Sequence, residues 1–187
     1  MRSVIVLPTY NERENIAALL TAVREVSSEI EVLVVDDNSP DGTAELAREI
    51  GQRLGAVTVL DRAAKQGLGS AYRAGFVKVL DEGCDVVISM DADMSHDPAV
   101  IPRMLELIAG GADAVVGSRY VTGGGTTDWP VRRQLLSRWG NAYTRLILGL
   151  PTRDCTSGFR AYRASALAAI EPDSTGAEGY AFLTELV

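Results

Sequence analysis

Residues 3–37, SVIVLPTYNERENIAALLTAVREVSSEIEVLVVDD, decide the fold. The apolar runs SVIVL (3–7) and EVLVV (31–35) lack strict alternation, which is how strands buried on both faces read. Between them Ile16, Leu19, Leu20 and Val23 stand three and four apart and give a helix one apolar stripe. Strand, helix, strand within so short a span predicts a parallel pair joined by a right-handed crossover. Asn11 and Glu14 have capping-box spacing at the start of the helix. The pattern then continues. VTVL (57–60), DVVISM (85–90) and DAVVGS (113–118) read as further strands. Three more apolar stripes lie between strands: Ala44, Leu46, Ala47, Ile50 and Leu54; Ala71, Phe76, Val79 and Leu80; Ile101, Met104, Leu105 and Ile108. Ser39 before Pro40 reads as an N-cap followed by proline at the first helical position. The expected fold class is α/β, a mostly parallel sheet with helices on both faces and a ligand crevice beyond the carboxyl ends of the strands.

Charged residues at those strand ends carry the chemistry, because a carboxylate there faces the crevice and not the core. PTYNE (8–12) follows the first strand, Asp36 and Asp37 end the second, and Asp91 and Asp93 end the fourth within MDADMSHDP (90–98). Two carboxylates in D-x-D spacing repel one another unless a cation lies between them, a need that Mg2+ or Mn2+ meets, with Ser95 able to add a hydroxyl oxygen. Helix starting is the competing account. Ser95 or Asp97 as N-cap before Pro98 explains those residues but leaves Asp91 without a reason. Asp36 and Asp37 likewise admit two readings, an Asx-type turn through Asn38, Ser39 and Asp41, or acceptors for a nucleoside's base or ribose.

After Ser118 the strand rhythm stops. VTGGGTTDW (121–129) is a glycine-rich loop and residues 129–151 form a helical pattern. Arg132, Arg133, Arg138, Arg145 and Arg153 fall within residues 129–153, where no acid occurs. Set against a total charge of −7, those five arginines leave −12 on the rest of the chain. Arg133 and Ser137 share a helix face and make a plausible phosphate clamp; a solvated surface helix is the alternative. With Trp139 and its leucines alongside, the cluster also suits an anionic lipid headgroup at a membrane surface. Arg119, after the fifth strand, could grip a pyrophosphate with its fork or form a structural salt bridge.

Several classes are excluded. The chain has 187 residues, 47% hydrophobic, which suits a folded domain and not a disordered one. The acidic balance argues against a nucleic-acid partner. GLGSAY (67–72) lacks the third glycine of a dinucleotide fingerprint, and no G-x-x-x-x-G-K-[ST] loop occurs. His96 is the sole histidine, so no Ser/His/Asp nucleophile is credible, and an orienting role fits it better than a base. Cys84 and Cys155 form no CxxC and read as buried thiols. The N-terminus lacks the h-region and cleavage site of a signal peptide, so the expected location is cytoplasmic, peripheral at the cytoplasmic face of a membrane.

Together PTYNE, VVDDNSPDGT, MDADMSHDP, GSRY, the glycine loop with WPVRRQLLSR, and DCTSGFRAYR resemble the inverting GT-A glycosyltransferases of the family 2 type. More closely they resemble the polyprenol (dolichol) monophosphate mannose synthases. The resemblance implies a Rossmann-like sheet and transfer of mannose from GDP-mannose to a polyprenyl phosphate with inversion. It implies that Pro8, Tyr10, Glu12, Val35 and Asp37 surround the guanosine of the donor. It implies further that Asp91, Ala92 and Asp93, with Ser95, hold the divalent ion, and that Arg119, Arg133 and Ser137 meet the donor and acceptor phosphates. On this pattern residues 1–118 are the nucleotide-sugar part and residues 119–187 the acceptor part of one domain. Family members continue past GYxFxxE into a further strand and a basic segment, so the chain is expected to be cut short at Val187. The competing functions are transfer from a UDP-sugar of the glucose type to the same lipid phosphate, and a non-catalytic nucleotide-binding module; a sugar nucleotidyltransferase is remote because the first strand lacks a basic glycine-rich loop after it.

Overall fold

The stripe at Ile16, Leu19, Leu20 and Val23 closes over a parallel strand pair, as its spacing predicts. In the computed structural model, which describes residues 1–122, 124–125, 130–149, 152, 154–174, 182 and 185–186, with the backbone alone at 133 and 148, the elements run as follows. The strands are β1 (Ser3–Thr9), β2 (Glu31–Asp36), β3 (Val57–Asp61), β4 (Val86–Ser89), β5 (Ala114–Val116) and β6 (Arg160–Arg163). The helices are α1 (Arg13–Val26), α2 (Thr43–Leu54), α3 (Leu68–Asp81), α4 (Ile101–Ala109), α5 (Val131–Leu148) and α6 (Ala164–Ala169).

The strand order is β3-β2-β1-β4-β6-β5. β1, β2, β3 and β4 are parallel, whereas β6 runs antiparallel to both its neighbours and separates β4 from β5. A strand at residues 160–163, standing between β4 and β5, is absent from the sequence expectation. The edge strands also differ from it: β3 and β5 are only partly buried, because each has a sheet neighbour on one side alone.

Alternation along the central strands divides the core. Ile5, Leu7, Val32 and Val34 face α1, α2 and α4 through Ile16, Leu20, Ile50 and Met104. Val4, Val6, Leu33 and Val35 face α3, where Ala71, Tyr72, Phe76 and Val79 are buried together with Tyr162 and Phe182. α3 lies close to the sheet at Gly75, where a Cβ would stand 2.3 Å from Val6 Cγ1 and 3.0 Å from Val35 Cγ2. Gly75→Ala is therefore expected to cost about 2 kcal/mol through overpacking, read as a lowered denaturant midpoint at unchanged m-value.

Two expected caps are not formed. Asn11 is left-handed (φ 61°), outside the extended region an N-cap requires, and Glu12 takes the N-cap position of α1 without a side-chain cap bond. Ser39 does not start α2, because its amide and hydroxyl both go to Asp36, at 2.8 and 2.6 Å. α2 begins at Thr43 behind a left-handed Gly42, with Asp41 accepting from the Thr43 amide at 3.0 Å. Asp97 does cap the short 3-10 turn before α4, accepting from the Ala99 amide at 2.9 Å ahead of Pro98.

Candidate active site

The parallel order places the ends of β1, β2 and β4 side by side, and a cavity of about 310 Å3 opens there. Pro8, Tyr10, Glu12, Asp37, Asp91, Ala92 and Asp93 all line it, so the structure gathers seven residues singled out in the sequence. Val35 is fully buried and packs in the core against α3. The remaining wall comes from Thr9 at the end of β1 and from Lys65, Gly67, Leu68 and Ala71, in the β3–α3 turn and the first turn of α3. Lys65 carries its ammonium 3.9 Å from the centroid of the Tyr10 ring, a cation–π contact. Sequence reading missed Lys65. Its signal, a lysine two residues before the glycine that starts a helix, gains meaning only once β3 is known to lie beside β2.

The two acids at the end of β2, Asp36 within the strand and Asp37 just after it, have different surroundings. Asp36 is buried and accepts from Thr9 Oγ1 at 2.9 Å as well as from Ser39, so it organises the strand-to-helix turn. Asp37 accepts from Arg62 Nη1 at 2.5 Å and from the Gln66 amide at 3.0 Å. Arg62 in turn reaches Gln66 Oε1 and Ser70 Oγ, at 2.7 and 2.6 Å. Asp37 thus lines the cavity and also ties down the turn that carries Lys65. For Asp36 the turn reading is the one the geometry supports.

At the end of β4, Asp91 Oδ1 accepts from the Tyr72 hydroxyl at 2.7 Å and Oδ2 lies 3.4 Å from His96 Nε2. Burial opposes the Asp91 charge, but the His96 contact and the Tyr72 hydrogen bond outweigh it and hold the carboxyl below its ordinary value. Burial first, and then the neighbouring Asp91 charge, push the Tyr72 phenol well above its usual value and keep it a proton donor. His96 stacks on Phe159 with ring centroids 5.1 Å apart, an orienting position. Gly158 completes the surroundings, since a Cβ there would come within 2.8 Å of Asp91 Oδ2. Asp93 is exposed and accepts from the Ser95 amide at 3.0 Å, and Ser95 is exposed beside it. Among the described residues no group of three or more His, Cys, Asp or Glu side chains converges. The available donors are hard carboxylate oxygens, few in number, which suits an ion that completes its shell with water and phosphate oxygens.

Arg119 forms the salt bridge that was the alternative for it. Its Nε and Nη2 bind the two oxygens of Asp154 at 2.7 and 2.6 Å, and Nη2 also reaches Thr156 Oγ1 at 2.7 Å. Burial works against Asp154's charge, but the Arg119 hydrogen bonds hold its carboxyl below the usual range. Ser137 accepts from the Tyr120 hydroxyl at 2.5 Å. The Arg133 side chain and all of Arg153 lie outside the described residues. Arg138 and Arg145 line a second cavity of about 310 Å3 with Tyr120 and Asn141. They are seven apart, hence on one face of α5, while Leu135, Leu136, Trp139, Leu146 and Ile147 are all exposed. Asn141 joins α5 to the 154–158 loop by accepting from the Cys155 amide at 2.7 Å. Among the described residues no helix is long and apolar enough to cross a membrane. Cys84 and Cys155 are free, buried thiols.

Comparison with known proteins yields consistent relatives. Residues 4–170 match the family described as Glycosyl transferase family 2. A polyprenol monophosphomannose synthase of Mycolicibacterium smegmatis is 44% identical over 186 residues, covering 99% of the chain and 70% of that protein. An undecaprenyl-phosphate mannosyltransferase of Micrococcus luteus is 46% identical over 186 residues, 100% of the chain and 76% of the relative. A dolichol-phosphate mannosyltransferase of Pyrococcus furiosus is 38% identical over 180 residues, 94% of the chain and 50% of its own length. Among solved structures, glucosyl-3-phosphoglycerate synthase of Mycobacterium tuberculosis with phosphoglyceric acid superposes with a TM-score of 0.71 at 22% identity, over 99% of the chain and 63% of the synthase. That last likeness is one of fold and bears out the expected Rossmann-like GT-A architecture.

Proposed function

The chain belongs to glycosyl transferase family 2, and from that premise we propose that it transfers mannose from GDP-mannose to a polyprenyl phosphate, with inversion and with help from Mg2+ or Mn2+. The observation that carries this reading is the agreement of two relatives at 44% and 46% identity, each aligned over practically the whole chain and each named for mannosyl transfer to a polyprenyl phosphate. The cavity supports it. Tyr10, Glu12 and Asp37 line it together with Asp91 and Asp93, and on this reading the first three would meet the nucleoside and the last two the metal-bound diphosphate. A bound divalent ion would neutralise charge growing on the departing nucleoside diphosphate. Asp91, Asp93 and Ser95 are the residues to hold it; a synthase of the same fold has been solved with Mn2+ and UDP-glucose.

The protein's own task is orientation. A phosphate acceptor is ionised near neutral pH, so no strong general base is required, in keeping with a cavity wall that carries no histidine. Lys65 adds positive charge to a wall with four carboxylates, Glu12, Asp37, Asp91 and Asp93. The acceptor phosphate would be steadied by Arg133 and Ser137, and Arg138 joins them because it lines a cavity with Arg119, Tyr120 and Gln134; Arg119, whose Nε and Nη2 are taken up by Asp154, would add its charge to that cavity and not a free fork. The exposed apolar residues of α5 would rest on the membrane that holds the lipid, at its cytoplasmic face.

Incubation with radiolabelled GDP-mannose or UDP-glucose, polyprenyl phosphate and MnCl2 tests the reading. Metal-dependent mannose label in the organic phase supports it; label from UDP-glucose alone makes the chain a glucosyl-type transferase, and GDP binding without turnover makes it a binding module. In the same assay Arg133→Ala and Arg138→Ala are each expected to raise the KM for polyprenyl phosphate about tenfold, with the donor KM unchanged.

A further inference from the structure

Tyr72 lies in the second turn of α3, fully buried, with its ring stacked on Phe76 at 5.5 Å and on Phe182 at 6.2 Å between centroids. A phenylalanine would fill that space equally well. The hydroxyl is the part that packing does not explain, because a buried polar group costs free energy unless it is hydrogen-bonded. It donates to Asp91 Oδ1 at 2.7 Å. The opposite side of the same carboxylate is bounded by Gly158, where any Cβ would press on Oδ2. Asp91 is therefore surrounded from three places in the sequence: Tyr72 donates to Oδ1, while His96 Nε2 lies 3.4 Å from Oδ2 and Gly158 leaves Oδ2 its space. Phe182 backs the Tyr72 ring and is itself fully buried, so the carboxylate is connected through one side chain to the C-terminal part of the chain.

We propose that Tyr72 is a positioning residue for the divalent-ion site, whose hydroxyl fixes the rotation of the Asp91 carboxylate. The proposal rests on the reading of Asp91 as a cation ligand. Residues that hydrogen-bond a metal ligand from behind set its orientation, and their loss typically weakens metal affinity by about 10- to 100-fold. Here the ring stays in place when the hydroxyl is removed, so Tyr72→Phe isolates that one bond.

Binding of Mn2+ to the 187-residue chain with GDP present, followed by the paramagnetic resonance signal of the free ion, is the test. Tyr72→Phe is expected to raise the Mn2+ Kd about tenfold. Its melting temperature and its affinity for GDP without metal should stay close to wild type, and excess Mn2+ should restore the rate of transfer. An unchanged Mn2+ Kd in Tyr72→Phe, with binding lost in Asp91→Ala, would make Tyr72 a core residue only and leave the proposed function standing. Wild-type Mn2+ affinity in Asp91→Ala would overturn both.

Discussion

Asp93→Ala is expected to lower metal-dependent mannosyl transfer about 1,000-fold, a loss of about 4 kcal/mol in transition-state stabilisation. Asp93 is exposed at the cavity wall and accepts from the Ser95 amide two residues away, a local bond, so removing its carboxylate costs the fold little. Initial rates over a range of MnCl2 concentrations, with a thermal melt as control, separate the two effects. A variant that melts with wild type and transfers mannose at the wild-type rate removes Asp93 from the metal set.

Asp154→Asn is expected to reduce stability by about 3 kcal/mol, the largest stability effect among the substitutions considered. The Asp154 side chain is fully buried and accepts with both oxygens from Nε and Nη2 of the Arg119 guanidinium, whose own side chain is 22% exposed. An asparagine keeps the shape and takes away the charge, leaving a largely buried cation beside a neutral amide. The pH dependence has a definite sign. The folded-state pKa of Asp154 is depressed, so the stabilisation it brings is present above the unfolded-state value of about 3.9 and is lost as pH falls through the lower folded-state value. Denaturant titrations of wild type and variant should differ most at neutral pH and converge in acid. A gap that stays constant from pH 7 to pH 3 would mean that shape, and not charge, carries the contribution of Asp154.

The βαβ half of the molecule is legible in the sequence because its apolar periods are long and unbroken, from Ser3 to the end of α2. β6 is not, for a specific reason. RAYR carries an arginine at each end, and its central position in the sheet requires Arg160 to be almost wholly buried. The fold accommodates that charge with backbone carbonyls, Ser157 O at 2.8 Å and Cys155 O at 2.7 Å, which no periodicity announces. The candidate site divides in the same way. Asp91 and Asp93 stand out as acids at the end of an apolar run. Tyr72, Gly158 and Lys65 look like an ordinary helix aromatic, a loop glycine and a surface lysine until tertiary structure sets them against Asp91 and Tyr10. Arg119 shows a limit of another kind, since its salt-bridge partner Asp154 lies 35 residues away.

The antiparallel strand wedged between β4 and β5 has a consequence for synthesis. Ser89 pairs with Arg160, and Ser89 Oγ donates to the Gly158 carbonyl at 2.7 Å, across 69 residues of chain. A nascent polypeptide that has completed β1 to β4 therefore still exposes one whole edge of β4, made of Val86, Val87, Ile88 and Ser89, to whatever else is nearby. The half that carries β1 to β4 emerges from the ribosome well before the strand that seals it and before the glycine that gives Asp91 its room. The interval during which this edge is open to mispairing is thus set by the time taken to translate the segment from α4 through α5, and any chaperone that guards the chain has its work there.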